Sequence, residues 1–84
     1  MNIENRATKL YLKELAPIQA LELLDIYKIP KPYKEILIVS CIERLDGFSA
    51  VDRLAEKYNI YLGYWTYVRR LKESLTMFRK SHIK

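Results

Sequence analysis

Residues 48–70, FSAVDRLAEKYNIYLGYWTYVRR, hold the clearest structural pattern of the chain. Ser49 is a favourable N-cap, because its hydroxyl can accept a hydrogen bond from a free amide of a first helical turn. The helix that follows has apolar residues at helical spacing, namely Val51, Leu54, Ala55 and Tyr58. Asn59 then tolerates the left-handed conformation that ends a helix, and a second periodic run begins with Trp65 and Val68. The segment therefore predicts two helices joined by a tight turn.

The order of residue types in this segment resembles the pattern of DNA-binding helix-turn-helix proteins. In that pattern an apolar residue and a small residue, here Leu54 and Ala55, are followed by a turn residue, here Asn59. Together with the preceding helix, residues 32–75 resemble the region-4-like domain of sigma factors and of small phage transcription regulators. The resemblance implies a small DNA-binding transcription regulator whose second helix, beginning near residue 62, faces the DNA. Asn59 departs from the pattern, which has Gly at the turn.

The resemblance implies a set of double-stranded DNA contacts in and around the second helix. The predicted contact residues are Tyr61, Tyr64, Thr66, Tyr67, Arg69, Arg70, Lys72 and Arg79. Arg70 would pair with guanine or phosphate, and Thr66 with a thymine methyl group or phosphate. The other basic side chains would bind the phosphate backbone, where charge and not base identity sets affinity. The helix opens with Tyr61-Leu62-Gly63-Tyr64 in place of the polar run, led by Ser or Thr, of base-reading helices.

The same tyrosines support a second interpretation. Tyr61, Tyr64 and Tyr67 recur every third residue and would form an aromatic stripe beside Trp65. Tyrosine is enriched in protein–protein interfaces. An adaptor that binds RNA polymerase, a sigma factor or another nucleic-acid-processing protein is therefore the alternative function. A homodimer formed through the N-terminal helices suits either interpretation.

The formal net charge of +5 lies entirely at one end of the 84-residue chain. Residues 60–84 carry six basic side chains against the single carboxylate of Glu73, whereas acidic and basic side chains balance over residues 1–59. Charge concentrated in this way favours a polyanionic partner.

Only two Gly and three Pro occur in the chain, and helix-forming residues dominate it. We therefore predict a small all-α domain of about five helices spanning residues 1–84. Residues 4–28 are expected to form an N-terminal helical pair, with Pro17 at the first position of its second helix. The two prolines at positions 30 and 32 end that pair. Residues 32–80 then form a three-helix unit that contains the helix-turn-helix.

Apolar periodicity also predicts the core. We interpret residues 33–45 as a helix and not a strand, because no second strand is available for pairing. The last helix is expected to turn Trp65, Val68, Leu71, Leu75 and Phe78 inward. The predicted core residues are Leu21, Leu24, Ile38, Cys41, Ile42, Leu45, Leu54, Ala55, Tyr58, Trp65, Val68 and Leu75.

No motif for catalysis or cofactor binding is found, and we expect neither enzymatic activity nor a cofactor. Cys41 and His82, the single residues of their types, cannot build a zinc site, and Cys41 is expected to be a buried hydrophobe. Asp52 and Glu56 alternate with Arg53 and Lys57, which predicts a salt-bridged helix face. No apolar run approaches the ~20 residues of a membrane span, and no signal core is present, so we expect a cytoplasmic protein.

Overall fold

The computed structural model describes residues 1–83 and contains five helices; Lys84 lies outside the described residues. The helices are α1 (Ile3–Glu14), α2 (Pro17–Ile26), α3 (Tyr33–Leu37, continued by a π-helical turn, Ile38–Ile42), α4 (Gly47–Tyr58) and α5 (Tyr64–His82). Residues 1–83 contain no strand, which confirms the all-α class. None of these helices combines the length and the apolar character that a bilayer crossing requires.

The end of α3 occupies the middle of the molecule. The amide of Glu43 donates to the carbonyl of Ile38, five residues earlier, at 2.9 Å, which is the π-helical pattern. Three successive residues of this turn, Val39, Ser40 and Cys41, are buried because α1, α2 and α4 contact it from several sides. The helix ends at Ile42, earlier than predicted.

The left-handed residue between α3 and α4 is Arg44, with a φ of 59°. Gly47 begins α4 with a φ of 56°. Because α4 begins two residues before Ser49, Ser49 lies inside the first turn, and its prediction as the N-cap is wrong. Asn59 ends α4 with φ 58° and ψ 33°, and the Ile60 amide donates to the Leu54 carbonyl at 3.0 Å. The predicted left-handed end at Asn59 is confirmed.

The face that helix α5 presents to the core overlaps the predicted one, because Leu71, Leu75 and Phe78 are buried as expected. Its buried residues are Tyr67, Leu71, Ser74, Leu75 and Phe78. Trp65 is 78% exposed, so its placement in the core is wrong. Because Trp65 precedes Tyr67 by two residues, its side chain points about 200° away around the helix. Tyr67 is 2% exposed and shares a 2.6 Å hydrogen bond between its hydroxyl and that of Ser40.

The C-terminal half of α5 packs against α1. Asn5 is buried, its side-chain amide donates to the carbonyl of Lys72 at 3.5 Å, and its Oδ1 accepts from Thr76 Oγ1 at 3.3 Å. Glu4 forms an ion pair with Arg79, one turn farther along α5. The C-terminal half of α5 is thus covered by α1 of the same chain.

The observed core matches the prediction in part. The buried apolar residues are Leu12, Ala20, Leu24, Ile29, Ile36, Leu37, Val39, Cys41, Ala50, Leu54, Tyr67, Leu71, Leu75 and Phe78. The predicted core residues that are only half-buried are Ile38, Ile42, Leu45, Ala55, Tyr58 and Val68. Leu21 is 37% exposed because α2 turns Ala20 and Leu24 inward instead, so its core placement is wrong.

The basic residues of α4 pair with Glu43, the residue that follows α3, and not with the carboxylates of their own helix. Arg53 and Lys57 contact Glu43 at 2.8 and 3.1 Å, whereas Asp52 and Glu56 are exposed and make no ion pair among residues 1–83. The predicted pairing along the face of α4 is therefore wrong. Burial alone would raise the pKa of Glu43, but the hydrogen bonds from Arg53 and Lys57 hold that pKa below its ordinary value.

Candidate nucleic-acid interface

The outward side of α5 carries three exposed cationic side chains, Arg69, Lys72 and Lys80, which we call the basic face. At 100° per residue, these positions lie within about 80° of one another around the helix. No ion pair formed by residues 1–83 includes any of the three. Their charges are therefore directed to solvent and are available to a partner.

Two other basic residues predicted as DNA contacts are bound within the protein. Arg70 Nη1 contacts Glu73 at 2.9 Å and donates to the Tyr33 hydroxyl at 3.2 Å. The hydrogen bond to Glu73, followed by the influence of Tyr33, raises the pKa of Arg70 above its ordinary value. Arg79 forms its ion pair with Glu4. Of the four predicted basic contacts, Arg69 and Lys72 have no ion-pair partner among residues 1–83.

Lys80 belongs to the basic face but is missing from the contacts predicted from the sequence. It follows Lys72 by eight residues, slightly more than two helical turns, so both side chains lie on the same side of α5. This spacing is visible in the sequence and would have identified Lys80.

The aromatic residues at the start of α5 form a surface different from the predicted tyrosine stripe. Tyr67 faces the core, so its prediction as an exposed contact is wrong. Tyr64 is half-buried and lies between Phe48 of α4 and Trp65, with ring centroids separated by 5.1 Å and 4.9 Å respectively. Phe48 is 72% exposed. We call Phe48, Tyr64 and Trp65 the aromatic cluster.

The remaining predicted contacts lie beside this cluster. Tyr61 is 74% exposed in the segment between α4 and α5, and its hydroxyl donates to Asn59 Oδ1 at 2.8 Å. Thr66 is half-buried on the first turn of α5. The helix therefore offers few free polar groups that could read base edges.

A separate apolar groove of about 300 Å³ lies between α1 and the end of α5 and includes Tyr11, Phe78 and His82. The His82 ring stacks on Phe78 at 5.7 Å, and its Nδ1 shares a 2.6 Å hydrogen bond with the Tyr27 hydroxyl. His82 is thus the last residue of α5 and is held there by contacts with Phe78 and Tyr27. Residues 1–83 contain no group of His, Cys, Asp and Glu suited to a metal ion.

Cys41 is 1% exposed, as predicted for a small buried hydrophobe. Burial raises the pKa of its thiol to about 11, although Lys9 and Lys13 oppose this shift. The thiol is therefore protonated at neutral pH and is a poor nucleophile.

No family model matches this chain, and neither a curated protein nor a solved structure matches it. The basic face and the aromatic cluster are therefore the features of the chain that bear on its function.

Proposed function

We propose that this chain is a small DNA-binding transcription regulator of helix-turn-helix type, in which α5 contacts double-stranded DNA through the basic face. The observation that carries the proposal is the set of three exposed cations without ion-pair partners, Arg69, Lys72 and Lys80. The order of α4, the Asn59 turn and α5 agrees with this assignment.

The basic face suits the regular charge of a nucleic-acid backbone. Arg69 and Lys80 are eleven residues apart, which corresponds to about 16 Å along a helix. Duplex DNA carries one negative charge per about 1.7 Å of its axis, so several phosphates lie within that length. Acidic Glu73 lies on the same helix, but its carboxylate is bound by Arg70.

Affinity is expected to depend more on phosphates than on base sequence. Arg70, predicted to contact guanine or phosphate, is held by Glu73 and Tyr33, and Thr66 is half-buried. Phosphate contacts position a protein on DNA, whereas groups that reach base edges provide specificity. The proposed contact is therefore expected to show a modest preference among sequences.

Salt dependence tests this proposal. If three cations each neutralise one phosphate, the slope of log K against log salt is about −2.7, and affinity falls about 40-fold between about 50 and 200 mM salt. Fluorescence anisotropy of a labelled mixed-sequence duplex measures this change. Absence of binding at the lower salt concentration, or binding that does not change with salt, would contradict the proposal.

A second candidate function is a protein adaptor for the transcription machinery. It is favoured by the aromatic cluster, since exposed Trp and Tyr side chains are frequent at the energetic centres of protein interfaces. The two candidates differ in what the chain binds. An adaptor binds a protein partner through Trp65 and does not bind DNA, whereas a transcription regulator of this kind binds DNA.

A further inference from the structure

We propose that the aromatic cluster stacks on unpaired bases, so that the preferred ligand is DNA that is single-stranded or locally opened. This inference rests on the proposed nucleic-acid function and specifies the form of nucleic acid bound. It assigns the cluster a role beside the basic face, with Trp65 as the principal stacking residue.

The geometry of the cluster leaves Trp65 free to receive a base. Its side chain is 78% exposed, and the Tyr64 ring meets it edge to face at an interplanar angle of 80°. Tyr64 is in turn supported by Phe48 at an interplanar angle of 32°. Trp65 is therefore held from one side by aromatic rings while most of its surface faces solvent.

The chemistry of these side chains favours base faces over base edges. Phe48 has no hydrogen-bonding group, and the indole of Trp65 has only one donor, so neither can recognise the donor and acceptor pattern of a groove. Aromatic rings instead stack on the flat faces of bases, whatever the sequence. In a continuous duplex those faces are covered by neighbouring base pairs, so a stacking contact requires unpaired bases.

The charges around the cluster indicate where the backbone of such a ligand would run. Arg69 and Lys72 follow Trp65 by four and seven residues, which continues the same outward side of α5. The acidic residues near the cluster lie at its Phe48 end: Asp46 directly precedes α4, and Asp52 follows Phe48 by one helical turn. A polyanion is therefore favoured along α5. This distribution of charge favours a nucleic acid as the partner over a protein surface without net negative charge.

Trp65 is the only tryptophan of the chain, so its fluorescence reports directly on the proposed contact. The protein is titrated with three probes, namely an oligothymidylate of about 15 nucleotides, a fully paired duplex, and the same duplex with an internal unpaired loop. Stacking predicts strong quenching by the oligothymidylate and the looped duplex and weak quenching by the paired duplex. Anisotropy of labelled probes measures binding independently of the tryptophan.

The variant Trp65→Ala is expected to bind oligothymidylate about 5- to 150-fold more weakly while its affinity for the paired duplex changes little. Because Trp65 is exposed, the variant should keep its fold, which circular dichroism checks. Ile18→Ala is the matched control, because it also removes an exposed apolar side chain but lies in α2, away from the cluster. This variant should bind like the parent.

Two outcomes would overturn the inference, and they are distinguishable. If all three probes bind equally by anisotropy and none quenches Trp65, the stacking contact is absent while DNA binding through the basic face stands. If no probe binds at low salt, the proposed function fails together with the inference, and a protein partner becomes the preferred explanation of the cluster.

Discussion

Tyr67→Ala is expected to lower the free energy of unfolding by about 3–5 kcal/mol, whereas Trp65→Ala is expected to change it by less than about 0.5 kcal/mol. Tyr67 is 2% exposed, and its removal leaves a cavity in the core and the Ser40 hydroxyl without its partner. Trp65 is 78% exposed and supports no buried group. Since small domains are stable by only about 5–15 kcal/mol, the Tyr67 variant could be partly unfolded.

Urea denaturation followed by circular dichroism measures both variants. They form a matched pair, because each removes one large aromatic side chain from the first turns of the same helix. Tyr67→Phe should fall between them, with a cost of about 1–3 kcal/mol, because it keeps the ring and leaves only the Ser40 hydroxyl unsatisfied. A larger loss for Trp65→Ala than for Tyr67→Ala would show that α5 is rotated from the orientation described.

Arg69→Glu/Lys72→Glu is expected to weaken binding to duplex DNA by at least about tenfold at low salt and to reduce the salt slope by about 2. Both side chains are exposed on the basic face and have no ion-pair partner within residues 1–83. Reversing their charge removes two phosphate contacts and adds repulsion from the same positions. Anisotropy at several salt concentrations gives the affinity and the slope together.

Lys28→Glu/Lys31→Glu is the matched control, since it changes the net charge equally but lies between α2 and α3. Both lysines are exposed, so neither variant should perturb the core. The control is expected to keep the salt slope of the parent. An equal loss in both double variants would mean that net charge alone, and not the basic face, governs binding.

Features set by neighbouring residues could be predicted from the sequence. Pro17 begins α2, as expected from its fixed φ, and Asn59 ends α4 in the left-handed conformation. The all-α class follows from the same local preferences. The start of α4 was misplaced because Ser49 is a good N-cap residue, whereas the structure begins the helix at Gly47.

The orientation of α5 could not be predicted in the same way, because two stripes fit a helical period equally well. Both contain Leu71, Leu75 and Phe78. The predicted stripe adds Trp65 and Val68, whereas the observed stripe adds Tyr67 and Ser74. The choice between them depends on distant residues, above all Ser40, which provides the hydrogen-bond partner of the Tyr67 hydroxyl.

Similar distant contacts decide which cations are free. The excess of basic residues is evident in the sequence, but the pairing of Arg70 with Tyr33 and of Arg79 with Glu4 depends on how α3 and α1 pack. Phe48 was missed for a related reason, since its contact with Tyr64 joins α4 to α5 and depends on how these helices pack. The position of the basic residues could therefore be predicted from the sequence. Which of them are free of ion-pair partners could not.

The measurement that tests the basic face most directly is a titration of the ¹⁵N-labelled protein with a mixed-sequence duplex, followed by amide chemical shifts. The basic face predicts that the largest shift changes cluster in α5, from Arg69 to Lys72 and around Lys80, with little change in α2. Changes centred on α2, or no changes at low salt, would contradict DNA binding through this face of α5.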